Sequence, residues 1–126
     1  MAIILIVEDE QRIRELLEAT LSLDHQVVPA ANAAHAIEYA LRLRPDLILL
    51  DLNLQGHHDG LEVCRTLRSE ADPILAQVPI VILTGQATKA DIAAALAAGA
   101  DAYVRKPYRL NDLLTVVTTH LADRSV

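Results

Sequence analysis

The sequence predicts a doubly wound α/β fold, a five-stranded parallel sheet with five helices laid over its two faces. Five short apolar runs, at residues 3–7, 26–28, 47–50, 80–83 and 102–104, alternate with stretches whose apolar residues recur at helical spacing. The glycines and prolines fall at the ends of these segments or in the connectors between them, so punctuation and hydrophobic pattern agree. Strand–helix alternation of this kind calls for right-handed crossovers, which place helices on both faces of the sheet. At 126 residues the chain has the length of one domain, spanning 1–126.

Each element has its own justification. Ile3, Ile4, Leu5, Ile6 and Val7 form a continuous, mostly β-branched run, the pattern of a strand buried on both faces. From Glu10 to about Ser22, Ile13, Leu16, Leu17 and Leu21 mark the inner face of an amphipathic helix. Gln26, Val27 and Val28 predict a brief second strand closed by Pro29; Asn32 then caps a helix with Ala33, Ala36, Ile37, Ala40 and Leu41 inward. Pro45 ends that helix, and the third strand delivers Asp51 at its end. After a loop through Gly56, His57, His58, Asp59 and Gly60, a third helix turns Leu61, Cys64 and Leu67 inward. Residues 69–79 read as a connector with a short helical turn, followed by a fourth strand ending at Thr84 and Gly85. An Ala-rich helix from Lys89 to Ala98 stops at Gly99, and a fifth strand runs into Arg105, Lys106 and Pro107. Leu110, Leu113, Leu114, Val117 and Leu121 define one face of the last helix.

Composition narrows the function classes. Apolar residues make up 52% and charged residues 22% of the chain, the balance of a soluble globular protein. A net charge of -6 and a pI near 5.2 argue against a nucleic-acid surface, which needs clustered Lys and Arg. The apolar N-terminal run meets Glu8, Asp9 and Glu10 at once, so neither a signal peptide nor a membrane span is expected and a cytoplasmic location is. Cys64 is the only cysteine, which excludes an internal disulfide, and its place on an apolar helical face makes it core filling.

In an open parallel sheet, ligands bind outside the carboxyl ends of the strands. Glu8 and Asp9, Asp51, Thr84 and Lys106 all follow apolar runs and would meet at that rim. Three carboxylates converging on one point repel unless a cation or a proton intervenes. Magnesium suits such a set, taking carboxylate and carbonyl oxygens while leaving positions open for phosphate. With a lysine ammonium and a threonine hydroxyl added, the inventory fits phosphoryl transfer better than ester or peptide hydrolysis, since no Ser–His or Cys–His pair converges there. Singly, each residue has a plainer reading: a helix-capping acidic pair, a strand-end hydroxyl, a solvated lysine. Their joint placement carries the functional one.

These residues give the chain a resemblance, over nearly its whole length, to the receiver domains of two-component response regulators. The match rests on Glu8-Asp9 after the first strand, Asp51 after the third, Thr84-Gly85 after the fourth, and the segment from Ala98 to Pro107 around the fifth. The resemblance implies a flavodoxin-like strand order 2-1-3-4-5, with Asp51 as acceptor of a phosphoryl group from a phosphohistidine on a sensor kinase or histidine phosphotransfer protein. It further implies that Asp9, Asp51 and the backbone carbonyl of Asn53 bind Mg2+, with Glu8 acting through a bound water. Lys106, joined to Pro107 by a cis bond, would pair with phosphoryl oxygens. Thr84 would donate its hydroxyl to the phosphoryl group as Tyr103 swings inward, altering the surface of the fourth helix, fifth strand and fifth helix for a downstream protein target or an output domain. The domain would catalyse its own phosphorylation and dephosphorylation, with no multiple-turnover substrate.

The chain departs from the family pattern after Asp51. Gln55 stands where proline is usual, and Gly60 arrives one residue late, so the loop is expected to be one residue longer. Two other functions compete. One is a phosphohydrolase with Asp51 as nucleophile, for which Asn53 replaces the second Asp of an Asp-x-Asp motif; the other is a binding module that keeps the fold without the chemistry, against which Asp51 and Lys106 both stand.

Overall fold

The structure, a computed structural model, describes residues 2–52, 54, 59–85 and 88–124. Five parallel strands, β1 (Ile3–Val7), β2 (Gln26–Ala30), β3 (Leu47–Asp51), β4 (Ile80–Thr84) and β5 (Ala102–Arg105), form one sheet in the order β2-β1-β3-β4-β5. Among the described residues, six helices connect and flank them: α1 (Gln11–Leu21), α2 (Ala33–Leu43), α3 (Asp59–Arg68), α4 (Pro73–Ala76), α5 (Lys89–Ala97) and α6 (Leu110–Arg124). The short α4 is the helical turn expected between the third helix and fourth strand, with Asp72 accepting from the Ile74 N–H at its start. The fourth and fifth helices of the sequence reading are therefore α5 and α6.

The central strands are buried on both faces and split the core in two. On one face, Ile4, Ile6, Leu47, Leu49, Val81 and Leu83 meet Leu17 and Leu21 of α1 and Leu113 and Val117 of α6. On the other, Leu5, Val7, Ile48, Leu50, Ile80 and Ile82 meet Ala36 and Ala40 of α2, Val63, Cys64 and Leu67 of α3, and Ala95 of α5. The period-2 alternation of side chains explains this sorting, each strand sending alternate residues to opposite layers.

Two expectations need correction. Pro29 lies inside β2 opposite Ile6 instead of closing it. β2 is an edge strand, where a missing N–H costs no ladder bond if that side faces solvent. Leu16, Leu41 and Leu110, placed on inner helix faces from periodicity, are exposed. Leu16 and Leu41 lie at the margins of their helices' apolar arcs, where helix against sheet buries only the centre of the stripe, and Leu110 is the first residue of α6. Val63, unassigned from sequence, is fully buried beside Cys64.

Two glycines answer local geometry. Gly99 has φ +115° and stops α5 in a backbone conformation that L side chains rarely adopt. Gly60, in the first turn of α3, lies so close to the end of β3 that an added Cβ would sit 2.9 Å from the Asp51 carbonyl oxygen and 2.8 Å from that of Leu52. The late glycine thus still lets α3 press against the strand end that carries Asp51.

Candidate functional site

Parallel register brings the strand ends to one edge. Val7 pairs with Leu50, Asp51 with Leu83, and Thr84 with Arg105, so Glu8, Asp51, Thr84 and Lys106 emerge side by side. Carboxylate oxygens of Glu8, Asp9 and Asp51 all lie within 4.8 Å of one another. Glu8 and Asp51 are buried, while Asp9 is the more open member. Glu8, Asp51 and Thr84 were legible at this edge because each directly follows, or ends, one of the three apolar central strands.

Lys106 reaches into this cluster. Its Nζ lies 3.1 Å from Glu8 Oε1 and 3.6 Å from Asp51 Oδ2, while its backbone N–H donates to the Thr84 carbonyl at 2.6 Å. The Lys106–Pro107 peptide bond is cis. Burial, together with the hydrogen-bonded and negatively charged Asp51, pushes the Glu8 carboxyl from 4.5 up to about 7, against the opposing pull of Lys106. Burial alone would lower the lysine's pKa, but the Asp51 and Glu8 carboxylates outweigh it and the net shift is upward. One ammonium is thus shared by two carboxyl groups, with Asp9 close beside them.

Thr84 is fully buried, and its Oγ1 has no hydrogen-bond partner among the described residues. A buried hydroxyl without a partner is uncommon and calls for an explanation. Tyr103, two residues before Arg105 on β5, faces outward and is 42% exposed. Asn53 and the loop residues Gln55, Gly56, His57 and His58, on which the expected lengthening falls, lie outside the described residues. Cys64 is buried, and desolvation drives its thiol up to about 11, in keeping with core filling and not with reactivity.

Sequence reasoning missed Arg14. From the first turn of α1 its Nη1 donates to the carbonyl oxygens of Glu8 at 2.9 Å and Asp9 at 3.3 Å. The available signal was a basic residue one helical turn inside α1, close enough to fold back over the acidic turn. Arg68 was missed as well: it donates to the carbonyls of Gly99 and Ala76 and to the Asp101 carboxylate, tying α3 to α4 and to the turn after α5.

Fold and rim together define a doubly wound α/β domain whose strand ends gather three carboxylates, a buried hydroxyl and a lysine. The family model of the response regulator receiver domain matches residues 4–118, and the chain belongs to that family, the receivers of two-component systems. Among curated relatives, the response regulator MprA of Mycobacterium leprae is 42% identical over 112 residues, covering 88% of this chain and 47% of its own length. The chain therefore spans about half the length of the curated relatives it matches. Among solved structures, a putative response regulator from Chloroflexus aurantiacus is similar with a TM-score of 0.85 at 30% identity, covering 96% of this chain and 98% of that one. The BeF3-activated receiver domain of Klebsiella pneumoniae RstA gives 0.82 at 34%, covering 94% and 97%.

Proposed function

We propose that residues 1–126 form a phosphoacceptor switch of a two-component phosphorelay, with Asp51 as the phosphorylated residue. The observation that carries this reading is the group of three carboxylates within 4.8 Å, two of them buried, with Lys106 bridging Glu8 and Asp51. A structural role needs no such concentration of like charge at the rim of a sheet, where it costs stability.

The donor set fits a hard divalent cation: all oxygen, partly buried, and short of positive charge with one lysine present. Asp9 and Asp51, with the backbone carbonyl of Asn53 and with Glu8 acting through a bound water, would hold Mg2+. When bound, Mg2+ supplies the charge that lets an anionic phosphoryl group approach the carboxylates.

The chain's own residues do the rest. An Asp51 Oδ attacks phosphorus in line as the P–N bond of the donor phosphohistidine breaks, and the imidazole leaves with the bonding pair. The product is an acyl phosphate on Asp51. Lys106, already 3.6 Å from Asp51 Oδ2, turns its ammonium toward a phosphoryl oxygen. Thr84 donates its unpartnered hydroxyl to another. Its movement vacates space for Tyr103 to swing from its outward position, altering the face made by α5, β5 and α6. Attack of water on the same phosphorus, breaking the Oδ–P bond, resets the switch.

The donor would be a sensor histidine kinase or a histidine phosphotransfer protein, and the reader a downstream protein or an output domain; receiver domains often carry one. Among the described residues no helix is long and apolar enough to cross a membrane. A cytoplasmic site of action fits this chemistry. Incubation with acetyl phosphate and Mg2+ should add one phosphoryl group to the intact mass of the wild type and none to Asp51→Asn. Wild-type protein of unchanged mass, or an Asp51→Asn variant labelled to the same extent, contradicts the proposal.

A further inference from the structure

We infer that Arg14 is a positioning residue for the cation site, pinning the backbone turn that aims the Glu8 and Asp9 carboxylates. The inference rests on the cation reading given above and concerns how the chain holds that site in shape.

Hydrogen-bond accounting across the turn between β1 and α1 isolates the role. The Glu8 N–H donates to the Ala30 carbonyl at 3.0 Å, which fixes the start of the turn to β2. Glu8 Oε1 accepts from Lys106 and Oε2 from the Glu10 N–H, the latter a long bond of 3.4 Å. Glu10 is the N-cap of α1 but makes no side-chain capping bond. Most helices fix their entry with such a cap; here the helix reaches back instead. Arg14 Nη1 donates to both Glu8 O and Asp9 O, the two successive carbonyls that set how the intervening peptide is turned. Rotation of that peptide would swing the Asp9 Cα–Cβ bond, and with it the carboxylate that must converge with Glu8 and Asp51.

Two effects of Arg14 on a cation oppose each other. Its charge repels a metal ion held by the neighbouring acidic cluster, so by charge alone its removal tightens binding. Its hydrogen bonds orient the ligands, so by position its removal weakens binding. Residues that orient metal ligands from behind change affinity by about 10- to 100-fold. Position wins here, because Arg14 is partly solvated and its charge is screened, while its bonds fall on the backbone of two of the three acidic residues.

The test is calorimetric titration of the wild type, Arg14→Met, Arg14→Lys and Asp9→Asn with Mg2+, beside thermal midpoints in EDTA. Arg14→Met should bind Mg2+ about tenfold more weakly despite a more negative site, with a melting transition that remains cooperative. Arg14→Lys, whose ammonium can keep one of the two carbonyl bonds, should fall between the two. Should Arg14→Met not fold, Arg14→Gln takes its place with the same expectation. A folded Met or Gln variant that binds Mg2+ as tightly as the wild type, or more tightly, overturns the positioning role while leaving the cation site standing. A wild type that takes up no Mg2+, or an Asp9→Asn variant that titrates like it, overturns the cation site and the positioning role together.

Discussion

At the scale of single residues, Thr84 and Glu8 both carry polar groups whose burial has a measurable cost. Thr84 Oγ1 lost its water on folding and gained no partner among the described residues, so Thr84→Val, of the same shape, should raise stability by about 1 kcal/mol. Urea denaturation of the metal-free protein checks the gain. The same variant should still accept a phosphoryl group on Asp51 but lose the downstream response, read as the change in Tyr103 environment on phosphorylation. Glu8 gives a pH signature. Its carboxyl ionises near 4.5 when unfolded and near 7 when folded, so between those values the folded state holds a proton that the unfolded chain has released. Stability of the metal-free protein should therefore fall as pH rises from about 4.5 to about 7, the reverse of a salt-bridged carboxylate. Glu8→Gln should remove that part of the slope in denaturation curves taken across the window.

At the scale of elements, the turn after α5 is held by a chemical need and a steric one. Gly99 has φ +115°, and a Cβ there would meet Arg68 Cγ at 2.5 Å, displacing the guanidinium that bonds the carbonyls of Gly99 and Ala76 and the Asp101 carboxylate. Gly99→Ala should cost about 1–3 kcal/mol in urea denaturation. Arg68→Ala, which clears the steric clash, should soften that cost without abolishing it, because the backbone strain remains. The α5 stop was legible in the sequence because glycine after an Ala-rich helix has one common meaning. Arg68 was not, since a basic residue at the end of α3 is equally at home in solvent, and only the fold brings Ala76, Gly99 and Asp101 around it. Pro29 was read as a terminator for a related reason: whether proline ends a strand or sits within it depends on the strand being at the edge, a property of the assembled sheet.

At the scale of the whole molecule, site location followed from one property, the apolar runs that precede Glu8, Asp51, Thr84 and Lys106, whereas the strand order followed from the receiver resemblance. A parallel sheet forces such endings to one edge, which is why the acidic cluster could be placed before any coordinate was known. Which helix positions are buried was less legible, because α1 and α2 each carry a wider apolar arc than one sheet face can cover, leaving Leu16 and Leu41 outside, while Leu110 is exposed at the first residue of α6. Both core layers share strands β1 to β4, so neither can come apart alone. Far-ultraviolet circular dichroism and tyrosine fluorescence should accordingly report one coincident urea transition. Separate midpoints would show two units where one is expected.

All of this converges on the carboxylate at the end of β3. Phosphorylation with acetyl phosphate and Mg2+, followed by borohydride reduction and peptide mass mapping, places the acyl phosphate on a residue, since reduction turns a phosphorylated aspartate into homoserine. Homoserine at position 51, and at no other acidic position, is the predicted result. Homoserine at position 9, or a phosphorylated protein that yields none at 51, would contradict the assignment of Asp51 as the phosphoacceptor.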